Sequence, residues 1–143
     1  MSERPAALSI RSDINEIPRV SDLIESVMQG QQFPDEDILD TQLAVEEVVT
    51  NVIMHGYGEG GGEIVVSLCY HADESAMEIR VEDRAEPFDP LTLPEPDISL
   101  GIDERKIGGL GIFLTRQVMD DIRYQYEDNK NVLILTKKKK RSG

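Results

Sequence analysis

The chain opens on alternation. Leu8-Ser-Ile-Arg-Ser12 sets apolar and polar side chains in strict turn, the period of a strand with one buried face. From Ile14 to Gln31 the spacing lengthens, and Ile17, Val20, Leu23, Ile24 and Val27 recur at helical steps, which predicts an amphipathic helix. Pro34 and Asp35 punctuate. A second helix is expected from about Asp37 to His55, ending where Gly56, Gly58 and Gly60 to Gly62 make continuation costly. Ile64 to Tyr70 and Met77 to Glu82 read as two strands of a hairpin parted by Asp73-Glu-Ser75. Arg84 to Ile107 holds four prolines, many charges and no sustained period, and Leu93 to Ile107 within it is expected to be a lid. Leu110 to Met119 predicts a short helix, and Ile122 to Tyr126 with Val132 to Thr136 predicts a second hairpin around Asp128-Asn-Lys130.

The predicted order is β-α-α-β-β-lid-α-β-β, without the strand–helix alternation of a doubly wound parallel sheet. It implies an α+β fold, a two-layer α/β sandwich whose mixed, mostly antiparallel sheet carries helices on one face. At 143 residues the chain is expected to be a single domain, 1–143, and to bury roughly two-thirds of the surface its unfolded chain exposes. No internal repeat is visible.

Composition narrows the class. Hydrophobic residues at 39% and charged residues at 30% fit a soluble globular protein and are too apolar for a disordered one. A net charge of −13 argues against direct nucleic-acid binding, whose affinity comes mainly from Lys and Arg on phosphates. An acidic surface suits a basic protein partner, and equally serves solubility alone. The single cysteine, Cys69, rules out an intrachain disulfide and a cysteine-rich metal site, so a reduced, cytoplasmic setting is expected. Met1-Ser-Glu-Arg-Pro5 lacks a secretory apolar core and no apolar run reaches spanning length, so neither secretion nor a membrane is expected. The basic tail 137–143, with Lys137-Lys-Lys-Lys-Arg141, is expected to be solvated, contact with anionic lipid being the other reading.

Three places carry candidate chemistry. On the second helix Val45, Val48, Val49 and Val52 form an apolar stripe, and Glu47, Asn51 and His55 stand beside it at i, i+4 and i+8. Carboxylate and carboxamide oxygens one turn apart are hard ligands that suit magnesium held jointly with phosphates. Taken alone the pair equally describes an ordinary polar helix face, and His55 fits a structural role at the helix end. Asp83 closes the strand at Val81-Glu-Asp83, where an acceptor-only carboxylate could take the exocyclic amine of adenine or simply favour a turn. Gly108-Gly-Leu-Gly111 precedes a helical run, a setting in which backbone N–H groups and the helix N-terminus attract phosphate. At this run neither the Lys-Ser/Thr of a P-loop nor the G-x-G-x-x-G spacing is present.

In order, Glu47-Val-Val-Thr-Asn51-Val-Ile-Met-His-Gly-Tyr57, Asp83-Arg-Ala-Glu-Pro-Phe-Asp-Pro90 and Gly108-Gly-Leu-Gly-Ile-Phe-Leu-Thr-Arg-Gln-Val-Met-Asp120 resemble the gyrase/chaperone/histidine-kinase/mismatch-repair ATPase superfamily, and within it the anti-sigma-factor serine kinases of the RsbW kind. The resemblance runs from the first strand to Thr136. It implies a Bergerat-type fold binding ATP and Mg2+ beneath a lid, with Asn51 on the metal, Glu47 as general base and Asp83 on the adenine amine. It further implies that Gly108, Gly109, Leu110 and Gly111 serve the phosphates and that Thr136 supports the adenine side. The family usually has Asp-x-Gly after the adenine aspartate, whereas this chain has Asp83-Arg-Ala85. An alanine there is expected to weaken binding, severely so if the position needs φ > 0.

The expected activity is that of an ATP-dependent protein serine/threonine kinase acting on a small antagonist protein and sequestering a sigma factor or other regulator, with homodimerisation left open. A nucleotide-gated protein-binding module without phosphotransfer is the alternative. A metallohydrolase using Glu46, Glu47 and His55 is weaker, because the directions of Glu46 and His55 diverge on a helix.

Overall fold

The computed structural model describes residues 5–57, 61–92 and 109–140. Its elements are β1 (Ala6–Arg11), α1 (Ile17–Gly30), α2 (Asp35–Asn51), β2 (Glu63–His71), β3 (Ala76–Asp83), α3 (Gly109–Val118), β4 (Asp121–Glu127) and β5 (Lys130–Lys138). The expected lid, 93–107, and Gly108 lie outside the described residues.

The five strands form one sheet in the order β1-β2-β3-β5-β4. Every neighbouring pair is antiparallel, in keeping with the mostly antiparallel sheet expected, and no parallel pair occurs among the described residues. Alternation decides its faces. Ile64, Val66, Leu68 and Tyr70 of β2, Met77, Ile79 and Val81 of β3, and Leu133 and Leu135 of β5 are buried in one core with Val20, Ile24 and Met28 of α1 and Val45, Val48 and Val49 of α2. Burying each such aliphatic side chain is worth about 1.5–3 kcal/mol, and the loss on truncation exceeds this where a cavity is left.

The second hairpin closes through Asp128 and Asn129 at φ 52° and 62°, the left-handed pair that a two-residue turn demands and that Asp and Asn tolerate. The hairpin does not sit at an edge as a unit. Its strand β5 pairs β3 residue for residue, Asp83 opposite Asn131 and Ala76 opposite Lys138, and this long-range register sets the site.

α2 starts directly after Pro34, whose extended ψ of 151° precedes the first turn, and that turn holds Asp35, Glu36 and Asp37. At its other end the helix widens. Val52–Gly56 is a π-turn, with the Tyr57 N–H donating to the Val52 carbonyl at 3.3 Å. The extra residue in that turn breaks the straight line expected for Glu47, Asn51 and His55.

Of the basic tail, Lys137, Lys139 and Lys140 are engaged with the protein, and residues 141–143 lie outside the described residues. Lys137 shares inward parity with Leu133 and Leu135, so strand alternation drives it into the protein, where it is 4% exposed. Its ammonium lies 3.1 Å from Asp40 Oδ2 and donates to the Val118 carbonyl. The Lys139 ammonium stands 5.1 Å and 5.0 Å from the ring centroids of Phe33 and Tyr70. Lys140 reaches Glu36 at 2.7 Å and its N–H donates to Asp37 Oδ2 at 3.0 Å. Acidic groups in the first turns of α2 supply the field that gathers these lysines.

Candidate functional site

Between α2, the sheet and the start of α3 lies a cavity of about 340 Å³, within the size range of small-molecule sites. Its wall is mostly apolar, with Val48 and Val52 from the helix side, Val81 and Leu133 from the sheet, and Ile112 from α3. A few polar groups converge on it, namely Asn51, His55, Asp83, Glu86, Tyr124 and Asn131.

Two of the three predicted clusters meet here. Asn51, the last residue of α2, lines the cavity, and its Nδ2 is buried without a hydrogen-bond partner among the described residues. A buried amide donor left open at a cavity wall is an incentive for a ligand, because a group desolvated without compensation loses about 1–3 kcal/mol. The carboxamide also brings a hard oxygen of the kind magnesium takes, so the residue fits a metal–phosphate group. Among the described residues no group of three or more His, Cys, Asp or Glu could hold a metal ion.

Asp83 stands at the end of β3, 7% exposed, with Oδ1 accepting the Ala85 N–H at 3.0 Å and the Asn131 side-chain amide at 3.0 Å. Burial pushes its carboxyl above the usual carboxylate range, and the bonds from Asn131 and Ala85 oppose that rise. Ala85 adopts no left-handed backbone, since the non-glycine residues that do, among the described residues, are Gln32, Ser75, Asp128 and Asn129. The severe form of the expected penalty is thereby removed. The Ala85 methyl packs toward the α2 end, where a Cβ built on Gly56 would lie 3.4 Å from it, so Gly56 leaves the room that Ala85 uses.

Other predicted residues are placed differently. Glu47 sits one turn before Asn51, exposed and outside the residues that line the cavity. Glu46 turns to α1, accepting from the Ser21 hydroxyl at 2.8 Å, which parts it from Glu47 and His55 and takes the metallohydrolase constellation apart. Gly109, Leu110 and Gly111 form the first turn of α3, next to the cavity-lining Ile112. Thr136 is a correction: it lies on β5 opposite Glu78 and Asp121, at outward parity and five residues from Asn131, and it does not line the cavity. Alternation sends positions 131, 133 and 135 inward and 136 outward.

Sequence reasoning missed Asn131, Tyr124 and Tyr57. Asn131 receives the Phe88 N–H at 3.0 Å and the Tyr124 hydroxyl at 2.5 Å on Oδ1. Its Nδ2 serves Asp83 and the carbonyls of Ala85 and Glu86 at 3.2 Å and 3.1 Å. Tyr57 joins the π-turn to both strands, its hydroxyl donating to the Glu63 carbonyl and accepting the Arg84 N–H, each at 2.6 Å. Burial raises the pKa of both Tyr57 and Tyr124. A polar Asn131 at the inward parity of Leu133 and Leu135 was the available signal.

The model of a family described as "histidine kinase-like ATPase domain" matches residues 10–137. The chain belongs to that family. It is 36% identical to serine-protein kinase RsbW of Listeria innocua over 107 residues, 71% of this chain and 67% of the relative. It is 41% identical to serine-protein kinase RsbW of Halalkalibacterium halodurans over 106 residues, 71% of this chain and 63% of the relative. The matched region thus spans about two-thirds of the curated relatives' length. A crystal structure of the RsbU and RsbW domains of a Mycobacterium tuberculosis protein superposes with a TM-score of 0.71 at 19% identity, covering 99% of this chain and 34% of that one, a likeness of fold. The motif resemblance to RsbW-type kinases and the Bergerat-type α+β architecture are both borne out. Among the described residues no helix is long and apolar enough to cross a membrane.

Proposed function

We propose that this domain binds Mg-ATP in the α2–sheet cavity and transfers its γ-phosphoryl group to a serine or threonine of a small antagonist protein in the cytoplasm, sequestering a sigma factor or other regulator in the alternative state. The observation that carries the reading is the pairing, on one cavity wall, of the Asn131-held Asp83 carboxylate with the partnerless Asn51 amide. Asp83 takes the adenine amine, because an acceptor-only group complements a donor. Asn51 contributes to magnesium, which when bound neutralises charge on the phosphates, and Gly108, Gly109, Leu110 and Gly111 offer backbone N–H groups to those phosphates.

Glu47 is the base. Its carboxylate takes the hydroxyl proton as the acceptor oxygen bonds to the γ-phosphorus, and the bond from that phosphorus to the β,γ-bridging oxygen breaks, leaving ADP. Glu47 stands outside the apolar cavity, where a protein substrate can reach it. That same exposure favours a second reading, a nucleotide-gated binding module in which no hydroxyl is delivered to Glu47. Titration with ATP, with and without magnesium, tests the nucleotide site, and a heat of binding that ignores both would defeat it. Radiolabelled ATP with the candidate antagonist then separates the two readings, since only the kinase labels the acceptor.

A further inference from the structure

The best-connected side chain at the cavity is Asn131. Its amide orientation is fixed by partners that cannot exchange roles: the Phe88 N–H only donates, so Oδ1 must face it at 3.0 Å. The carbonyls of Ala85 and Glu86 only accept, so Nδ2 must face them at 3.2 Å and 3.1 Å. With both ends committed, Nδ2 meets Asp83 Oδ1 at 3.0 Å, and the cross-strand register of β3 and β5 holds the two residues opposite one another. The Tyr124 hydroxyl, donating to Oδ1 at 2.5 Å, braces the amide from β4.

We infer that Asn131 is the positioning residue that makes this nucleotide site select adenine over guanine. The inference rests on the adenine reading of Asp83 given above. Both bonds to Asp83 fall on Oδ1, one from Asn131 and one from the Ala85 N–H, and this leaves Oδ2 for the base at a single angle. Held so, Oδ2 accepts from the exocyclic amine of adenine and opposes the carbonyl oxygen that guanine carries at the same ring position. A carboxylate free to turn would find a second solution. It could swing to the ring N–H and amine of guanine, which are donors, and discrimination would fall. The Asn131 bond also counters part of the burial that raises the Asp83 carboxyl and so favours its acceptor form. A site whose polar groups are fixed rejects a mismatched ligand strongly because the mismatch leaves them unpaired.

The test is competitive titration of wild type, Asn131→Ala and Tyr124→Phe with Mg-ATP and Mg-GTP, melting each protein alongside. Wild type should prefer ATP. Asn131→Ala should lose ATP affinity by roughly tenfold or more while GTP affinity holds or rises, so the ATP:GTP ratio collapses by at least that factor. Val20→Ala, a core truncation beneath α1, controls for stability alone and should lower the melting temperature with the ratio intact. If Asn131→Ala does not fold, Tyr124→Phe decides: it removes one brace without touching Asp83, and the ratio should drop severalfold. Absence of any ATP preference in the wild type overturns the adenine reading itself. A wild-type preference that survives within twofold in Asn131→Ala, or in Tyr124→Phe where only that variant folds, overturns the role of Asn131 and leaves the adenine reading standing.

Discussion

Replacing Asp83 by Asn should separate folding from binding in opposite directions. In the native site both hydrogen bonds to the carboxylate, from the Ala85 N–H and the Asn131 amide, fall on Oδ1 at 3.0 Å. The carbamoyl oxygen of Asp83→Asn inherits both, while an NH2 donor replaces Oδ2. The fold keeps its bonds and loses a buried charge. Burial is the largest influence on the Asp83 carboxyl and raises its pKa, so ionising it opposes folding of the empty protein. The sign follows from proton linkage: with the folded pKa above the unfolded one, the folded state binds the extra proton, and stability falls as pH rises from the unfolded value through the folded one. At neutral pH the empty variant should therefore melt at or above the wild type, by up to roughly 2–4 °C for each kcal/mol recovered. ATP affinity should move the other way. A hydrogen bond to a charged group is worth about 1.5–3 kcal/mol, and setting donor against donor leaves both unpaired at a further ~1–3 kcal/mol. Together that is about 2.5–6 kcal/mol, or roughly two to four orders of magnitude in affinity. Scanning calorimetry of the empty proteins and isothermal titration with Mg-ATP measure both quantities. A variant melting far below the wild type would make Asp83 a structural anchor, and ATP affinity within a few-fold would remove it from the base site.

The remaining expectations are shorter. ATP affinity of the wild type should weaken as pH falls into the raised range of the Asp83 carboxyl, because the amine then meets a protonated acceptor, and a flat affinity–pH profile would contradict this. Glu47→Gln should keep ATP affinity within a few-fold and lose acceptor phosphorylation by roughly two orders of magnitude, read with radiolabelled ATP; equal labelling would refute the base assignment. Gly62→Ala should displace Tyr57, whose ring carbon would lie 2.2 Å from the new Cβ, and should lower stability by about 1–3 kcal/mol in chemical denaturation; an unchanged midpoint would refute that. Lys137→Ala strands Asp40 and the Val118 carbonyl, whereas Lys137→Met fills the space with apolar volume; about 2 kcal/mol should go in the first and less in the second, and equal losses would show that packing alone matters.

What the sequence made legible was local, and what it hid was register. Hydrophobic period marked β1, β2, β3, α1 and most of α2, since one buried face leaves its signature on consecutive residues. Asp83 and Asn51 were legible because each sits at the end of such an element, where a polar residue interrupts an apolar run. Asn131 was not singled out, because it follows the turn Asp128-Asn-Lys130 and a polar residue beside a turn draws no notice. Only the pairing of β5 with β3, between residues 48 apart, sets it against Asp83. The resemblance gave Thr136 its role, and only strand parity shows that it faces away from the cavity while Lys137 turns inward one residue later. The π-turn at Val52–Gly56 was invisible too, since nothing in Val-Ile-Met-His-Gly departs from helical composition.

These hidden pieces act together. The widened turn carries Tyr57 to a place where one hydroxyl bonds the start of β2 and the exit of β3, at Glu63 and Arg84. Asn131 bonds the next residues along that exit, Ala85, Glu86 and Phe88. The segment leaving Asp83 is therefore held from the helix side by a tyrosine and from the sheet side by an asparagine, and the Ala85 methyl lies between them against Gly56. An Asp-x-Gly motif leaves the backbone after its aspartate free to turn. Here Ala85 removes part of that freedom, and the clamp of Tyr57 and Asn131 fixes the conformation that Ala85 must adopt, so the methyl and the clamp reinforce one another. Ala85→Gly should then be nearly neutral for ATP in the wild-type background, yet weaken binding by several-fold more when combined with Asn131→Ala, because the loosened segment would have lost both restraints. A double-mutant cycle read by titration tests the coupling, and strictly additive losses would show that Ala85 and Asn131 act independently.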